Sequence, residues 1–310
     1  MGDFCIHFSF KRFMRLPCIL EGTPLTILDA IIQGIIQGLT EFLPVSSSGH
    51  LSLVQHFTGQ SGEAGAFFSI LLHLGTLLAV FLAFYKTITD LVVEFFAMAG
   101  DLFRGRFSLK EAGPKRRMVL LLIVSLLPMA LVVFLRDFYS SLSANASILE
   151  EGFFFLLTSV LLFLSDKCVK GHKKAGTMRY KDALAIGITQ AVAPLPGLSR
   201  SGSTISVGLI VGLEREFAVA FSFIMGVPTV LAANVLEIGD AVKEGALLSF
   251  PVVLIGVLTS LVCGLLAIKM VKWLVTSNKF KYFAWYTLVL GVIVVAVGLF
   301  ELVTGNVVSF

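Results

Sequence analysis

Five stretches of the chain, Ala64–Tyr85, Met118–Leu135, Phe217–Leu236, Gly245–Ile268 and Tyr282–Phe300, contain no Asp, Glu, Lys or Arg. Each is ~18 residues or longer, enough to cross the ~30 Å hydrocarbon layer as a helix. Gly152–Ser165 is a shorter uncharged run that predicts a sixth span if Ser147–Glu151 serves as an interfacial turn. Asp182–Leu213 reads differently. Two short apolar pieces are interrupted there by Pro194, Pro196, Gly197 and the polar run Ser199-Arg200-Ser201-Gly202-Ser203-Thr204. Neither piece crosses alone, so the pattern predicts a helix–loop–helix hairpin that enters and leaves by one face. Such irregular backbone survives at membrane depth only when buried in protein or lining a wet cavity.

Charge orients these elements. Of the 24 Lys and Arg, 17 fall in Lys86–Arg117, Asp166–Lys181 and Lys269–Lys281, which the positive-inside rule places in the cytoplasm. Asp137–Glu151 and Glu237–Glu244 are then outer connectors. With Lys181 and Phe217 both on the inner side, parity makes Asp182–Leu213 re-entrant from the cytoplasmic face.

Sliding the chain against itself by 153 positions aligns Asp29–Ala79 with Asp182–Ala232 without a gap. The matches include Asp29/Asp182, Gly34/Gly187, Gln37/Gln190, Ser46/Ser199, Ser48/Ser201, Gly49/Gly202, Ser69/Ser222 and Thr76/Thr229. Many of these are polar or glycine, so shared apolar composition does not explain them. Ala64–Tyr85 runs inward and its counterpart Phe217–Leu236 outward, so the repeats are expected to be inverted. The first hairpin, Asp29–Gln60, then enters from outside, and the two polar tips meet near the middle of the membrane, where inverted-repeat proteins place their sites. The fold class expected is an all-α polytopic membrane protein with inverted-topology repeats, each a re-entrant hairpin plus three transmembrane helices. Residues 1–24 are read as an N-terminal extension and 25–300 as one domain, with repeats at about 25–165 and 178–304.

Composition agrees. The 310 residues are 56% hydrophobic and 14% charged, outside the range of soluble domains. Cys5, Cys18, Cys168 and Cys263 form no CxxC pair, so neither a disulfide framework nor a metal knuckle is supported. The net charge of +4 follows membrane topology and implies no nucleic acid. Met1–Gly22, with Lys11, Arg12 and Arg15, lacks the apolar core and cleavage site of a signal peptide. It is expected to be a membrane-surface tail on the outer side, or a consequence of start-codon choice with Met14 the true start.

The tips carry the chemistry. The first reads Gln37-Gly-Leu-Thr-Glu41-Phe-Leu-Pro44-Val-Ser46-Ser47-Ser48-Gly49-His50 and the second Pro194-Leu-Pro196-Gly197-Leu-Ser199-Arg200-Ser201-Gly202-Ser203-Thr204. Together they hold a carboxylate, an imidazole, a guanidinium, several hydroxyls and the exposed amides of two helix starts. Hydroxyls and helix N-terminal amides suit a phosphate or diphosphate, and Arg grips one bidentately. Glu41 is the only acid inside the first hairpin and stands one turn after Gln37. It is a candidate cation ligand or base, and His50 is placed to reach Ser47. His73 reads as a packing residue or a second-layer partner, and His56 and His172 as surface residues.

These two tips resemble the bacterial undecaprenyl-diphosphate phosphatase family linked to bacitracin resistance, and the likeness extends from about Leu25 to Phe300 through Phe221-Ser222-Phe223 and Pro228. The resemblance implies removal of the terminal phosphate from a C55 isoprenoid diphosphate, which regenerates the lipid carrier of peptidoglycan synthesis. It also implies a homodimer in the bacterial plasma (inner) membrane, with the cleft open to the periplasm or cell exterior. The family's acidic motif falls on Gln37 and Glu41, its Ser-Ser-x-Gly-His on Ser46 to His50, and its essential arginine on Arg200. Position 37 is Gln here, so a metal pair of two carboxylates is not on offer.

Glu41, Ser47, His50 and Arg200 are therefore the catalytic candidates. Gln37, Ser46, Gly49, Ser199, Ser201, Gly202 and Thr204 are candidates for binding substrate, and Glu41 for a Mg²⁺ or Ca²⁺ ion. An inverted-repeat transporter or flippase of a phosphorylated lipid would show the same repeats and anion site without needing an activated nucleophile. The acid-phosphatase-like lipid phosphatases need a second His after the Arg, and no His follows His172.

Overall fold

The computed structural model describes residues 25–58, 63–107, 113–134, 148–168, 171–243, 248–277 and 279–308. The N-terminal extension and most of the connector expected at Asp137–Glu151 lie outside them. Among the described residues there are eleven helices and no strand longer than an isolated bridge. They are α1 (Ile27–Phe42), α2 (Ser47–Phe57), α3 (Glu63–Ala83), α4 (Tyr85–Phe103), α5 (Pro114–Phe134), α6 (Ile148–Asp166), α7 (Tyr180–Val192), α8 (Arg200–Ile210), α9 (Arg215–Lys243), α10 (Phe250–Thr276) and α11 (Lys281–Thr304).

Four of them, α6, α9, α10 and α11, are each long and apolar enough to cross a membrane, and α3 with α4 adds a fifth if that bent pair counts as one span. Their outer faces carry rows of exposed apolar side chains, among them Leu254, Leu258, Val262 and Leu266 on α10. Water does not tolerate so much contiguous apolar surface, but lipid does. The chain is a multi-pass membrane protein.

The repeat is visible in the element boundaries. Helix α2 starts at Ser47 and ends at Phe57, and α8 starts at Arg200 and ends at Ile210, each 153 positions on. The N-caps match too. Ser46 Oγ accepts from the Gly49 amide at 3.3 Å and Ser199 Oγ from the Gly202 amide at 3.0 Å. Each cap oxygen also lies 3.4 Å from the hydroxyl two residues on, Ser48 or Ser201. A Ser at this position satisfies one of the helix's orphan amides, which is why the serine clusters stop one helix and start the next.

Small residues let the hairpins pack deeply. A methyl group at Gly38 would stand 2.6 Å from the Ser260 carbonyl oxygen and one at Gly34 2.8 Å from that of Gly256, so α1 and α10 touch backbone to backbone. Gly187, the repeat counterpart of Gly34, meets the backbone of Ser125 on α5 in the same way. Without a hydrophobic drive between helices in lipid, such close van der Waals contact supplies the association.

One expectation is corrected. The basic stretch Lys86–Arg117 is not simply a loop, because its first part is α4, turned 85° from α3 at a short break. Leu91 and Met98 are buried on one side while Val92, Val93, Phe95 and Phe96 are exposed. Its acids bond to α5: Arg116 donates to Glu94 and Asp101, each at 2.7 Å, and Lys115 pairs with Asp90 at 2.9 Å. Apolar residues at helical spacing give this charged stretch the buried face that a helix needs. The outer connector expected at Glu237–Glu244 is likewise largely the last two turns of α9, which runs to Lys243.

Candidate active site

Helix α1 ends at Phe42 and α7 at Val192, and the short loops that follow bring the starts of α2 and α8 together. Ser201 Oγ donates to the Leu43 carbonyl at 3.0 Å, tying the second loop to the first. Gly49 stands where a side chain would strike Gly197 and Phe155, so the tips touch directly. Ser46 adopts φ +71°, the left-handed region that L-residues avoid at a cost of ~1–3 kcal/mol. Its counterpart Ser199 has an ordinary φ of −75°. The strain sits on the loop that carries the hydroxyl nearest the carboxylate.

Between the tips lies a cavity of about 260 Å³ whose walls include Glu41, Ser46, Ser47, Ser48, His73, Gln190, Ser199, Arg200, Ser201, Thr229 and Asn234. Glu41, in the last turn of α1, is buried and joins the groups there. Its Oε1 accepts from Arg200 Nη2. Its Oε2 accepts from Ser47 Oγ at 2.6 Å and from Gln37 Nε2 at 3.0 Å. His73 on α3 brings Nε2 to 3.6 Å from that oxygen, while its Nδ1 is 2.7 Å from the Ser69 carbonyl. Arg200, the first residue of α8, rests its guanidinium on Gly226 of α9, where any side chain would collide with it. Thr204 Oγ1 donates to the Arg200 carbonyl at 2.8 Å and lies 2.5 Å from Ser222 Oγ, fixing the first turn of α8.

His50 is placed elsewhere. Its Nδ1 lies 2.7 Å from the Ser46 carbonyl and its Nε2 2.7 Å from the Tyr286 hydroxyl. The ring stacks on Tyr286 with centroids 5.7 Å apart and meets Phe155 edge-on. A carbonyl only accepts, so Nδ1 carries the proton and Nε2 accepts from Tyr286. Neither nitrogen is left for Ser47, and His50 anchors the first turn of α2 to α11. The imidazole that lines the cavity is His73.

Helix α6 holds both loops with one face. Glu151 Oε1 accepts from Ser52 Oγ of α2 at 2.5 Å, Phe155 packs on Gly49 and His50, and Thr158 Oγ1 accepts the Ser199 amide at 3.1 Å. Residues 151, 155 and 158 share a helical face by spacing. Nothing in the motif sequences pointed to them, because the contact depends on how α6 packs. Gln190 and Thr229 did carry a signal, as repeat counterparts of Gln37 and Thr76. Gln190 Nε2 donates to Thr229 Oγ1 at 2.8 Å, while Gln190 Oε1 and Asn234 Oδ1 are buried without a protein partner and offer acceptors to water or to a protonated phosphate oxygen.

A Mg²⁺ or Ca²⁺ ion takes six or more oxygen ligands, usually with carboxylates among them. Among the described residues no three His, Cys, Asp or Glu converge, and both oxygens of Glu41 are engaged by Arg200, Ser47 and Gln37. The residues present do not fit a resident divalent ion on Glu41.

Comparison with known proteins gives one answer. Residues 30–293 match the family described as bacitracin resistance protein BacA. The undecaprenyl-diphosphatase of Methanobrevibacter smithii is 39% identical over 274 residues, covering 86% of this chain and 96% of that protein. That of Alkaliphilus metalliredigens is 37% identical over 273 residues, covering 87% and 98%. That of Thermosipho africanus is 39% identical over 272 residues, covering 87% and 100%.

Proposed function

The chain belongs to the bacitracin resistance protein BacA family, and from that premise we propose that the cavity between its two serine loops is where the lipid diphosphate loses its terminal phosphate. The enzyme is an undecaprenyl-diphosphatase. It hydrolyses undecaprenyl diphosphate to undecaprenyl phosphate and inorganic phosphate, recycling the lipid carrier of peptidoglycan synthesis and conferring bacitracin resistance.

The observation that carries the site assignment is Glu41, buried and shared between a cation and a hydroxyl from opposite loops. A diphosphate brings several negative charges, and Arg200 exchanges Glu41 for the terminal phosphate, gripping it as a planar fork. Ser201 at the start of α8 and the serines Ser46 and Ser199 line the same space. Charge on the transferring phosphoryl is thereby neutralised, the main demand of this chemistry. Ser47, held on the other oxygen of Glu41, supplies the attacking oxygen, and the lipid phosphate is the leaving group. His50 and Gly49 keep the first loop in place against α11 and the second loop.

In this reading the repeats are inverted in the membrane, the basic segments are cytoplasmic, the cleft faces the periplasm or cell exterior, and two copies form a homodimer. The parity of the charged segments supports the orientation. A transporter would not need a hydroxyl held against a carboxylate, so the site favours hydrolysis.

Phosphate release from C15 and C55 diphosphates by the purified full chain in detergent tests the assignment. Arg200→Ala, Glu41→Gln and Ser47→Ala should each lower kcat/KM by about 100-fold or more. Wild-type turnover that survives Arg200→Ala would place the site elsewhere.

A further inference from the structure

The geometry points to His73 as the final acceptor of the Ser47 proton, received through Glu41. This inference rests on the phosphatase reading of the cavity. Three observations carry it. Ser47 Oγ and His73 Nε2 approach the same carboxylate oxygen, Glu41 Oε2, at 2.6 Å and 3.6 Å. The Ser69 carbonyl, 2.7 Å from Nδ1, requires a proton there, so the neutral ring presents a bare Nε2 toward that oxygen. Third, the 153-position repeat pairs Ser47 with Arg200 and His73 with Gly226. In the second repeat the residue at the helix start lies directly against the residue at the later position, guanidinium on glycine. The first repeat replaces that couple by a hydroxyl and an imidazole.

Charge balance explains why a second base is needed. Among the described residues, Glu41 from α1 and Arg200 from α8 are the charged groups lining the cavity beside His73, while α5, α7 and α9 present Met129, Gln190, Thr229 and Asn234. When Arg200 moves to the incoming phosphate, Glu41 loses its counter-ion in a buried site, where an unpaired charge is costly. A proton that leaves Ser47 Oγ for Glu41 Oε2 and passes on to His73 Nε2 restores an ion pair, now between carboxylate and imidazolium. Meanwhile Ser47 Oγ bonds to the terminal phosphorus, and the bond to the bridging oxygen breaks. That oxygen keeps the electron pair, and the departing lipid phosphate takes the proton from His73. Water then attacks the phosphoserine and its proton follows the same route. Ser47 Oγ leaves with the electron pair and recovers a proton from His73, and inorganic phosphate is released.

The test is steady-state phosphate release from the C15 diphosphate by the full chain in detergent, comparing wild type with His73→Gln, His73→Gly and Ser47→Ala. His73→Gln should lower kcat by about 100-fold or more with KM within about twofold, the split expected when proton transfer is lost and binding kept. Free imidazole should restore turnover to His73→Gly, more so for more basic substituted imidazoles, and should leave Ser47→Ala unaffected. A His73→Gln enzyme within about threefold of wild-type kcat would overturn the inference, as would a His73→Gly enzyme that binds substrate but ignores imidazole. Either result beside an inactive Arg200→Ala leaves the phosphatase site standing. Absence of phosphate release by wild type would remove both.

Discussion

Replacing Gly226 by Ala separates activity from stability at one atom. The added methyl would overlap Arg200 Nη1 and stand 3.1 Å from Cζ. The colliding group is the end of a flexible side chain, so the guanidinium moves and α9 does not. In moving it loses its place on Glu41 and the position from which it would receive phosphate. A hydrogen bond to a charged group contributes ~1.5–3 kcal/mol, which at ~1.4 kcal/mol per decade predicts a fall in kcat/KM of roughly 10- to 100-fold. Stability should fall by less than that, because Ala is favoured over Gly inside a helix by ~1 kcal/mol, offsetting part of the lost ion pair. Phosphate release from a C15 diphosphate and a thermal melt of the same detergent preparation measure both. Gly226→Ala with kcat/KM within about twofold of wild type, a change worth under ~0.5 kcal/mol, would show that Arg200 does not work from its perch on α9.

Three further outcomes are expected. Thr158→Val keeps the shape of α6 but removes the acceptor of the Ser199 amide; it should lower stability by ~1–3 kcal/mol and Thr158→Ser should restore it, both read from thermal melts. Asp182, at the loop-facing start of α7, has its carboxyl held below the usual range: burial opposes its charge, but Lys173 Nζ at 2.8 Å and the Arg179 amide at 3.0 Å outweigh that. An acid so depressed adds stability that is full above its unfolded value of about 4 and is lost as the pH falls through the folded value, so wild type should melt progressively earlier below about pH 4 while Asp182→Asn shows a shallower acid slope. Mg²⁺ titrated into the lipid-free enzyme in a calorimeter should give no saturable binding tighter than about 1 mM, the weak end for protein oxygen sites; a tight single site would contradict the donor set around Glu41.

Much of the architecture was legible before any coordinates. Charge-free runs located the long helices, and the Pro, Gly and Ser interruptions marked the breaks at 43–46 and 193–199. The repeat shift anticipated that α2 and α8 would begin at equivalent positions with equivalent serine caps. These are local or periodic properties, set by hydrophobic length, turn residues and capping. Helix α4 is less legible, because Lys86, Asp90, Glu94 and Asp101 interrupt the apolar positions that give it a buried face.

The convergence of Glu41, Ser47 and Arg200 on one cavity was expected from the motifs, and the structure brings them together. The placement of the two imidazoles was not legible. His50 and Ser47 are three residues apart on a short helix, which puts them near each other in any sequence reading. Which way the ring turns was decided by Tyr286, 236 residues on. His73 reads from sequence as a packing residue or a second-layer partner, and the packing of α3 beside α1 brings its Nε2 toward Glu41. The sequence by itself determined which segments sit in lipid, where they break and which polar groups stand at the breaks, because those follow from short-range chemistry. Only the tertiary structure decided which of these groups share an oxygen, because contacts across 159 residues between Glu41 and Arg200 depend on how the helices pack.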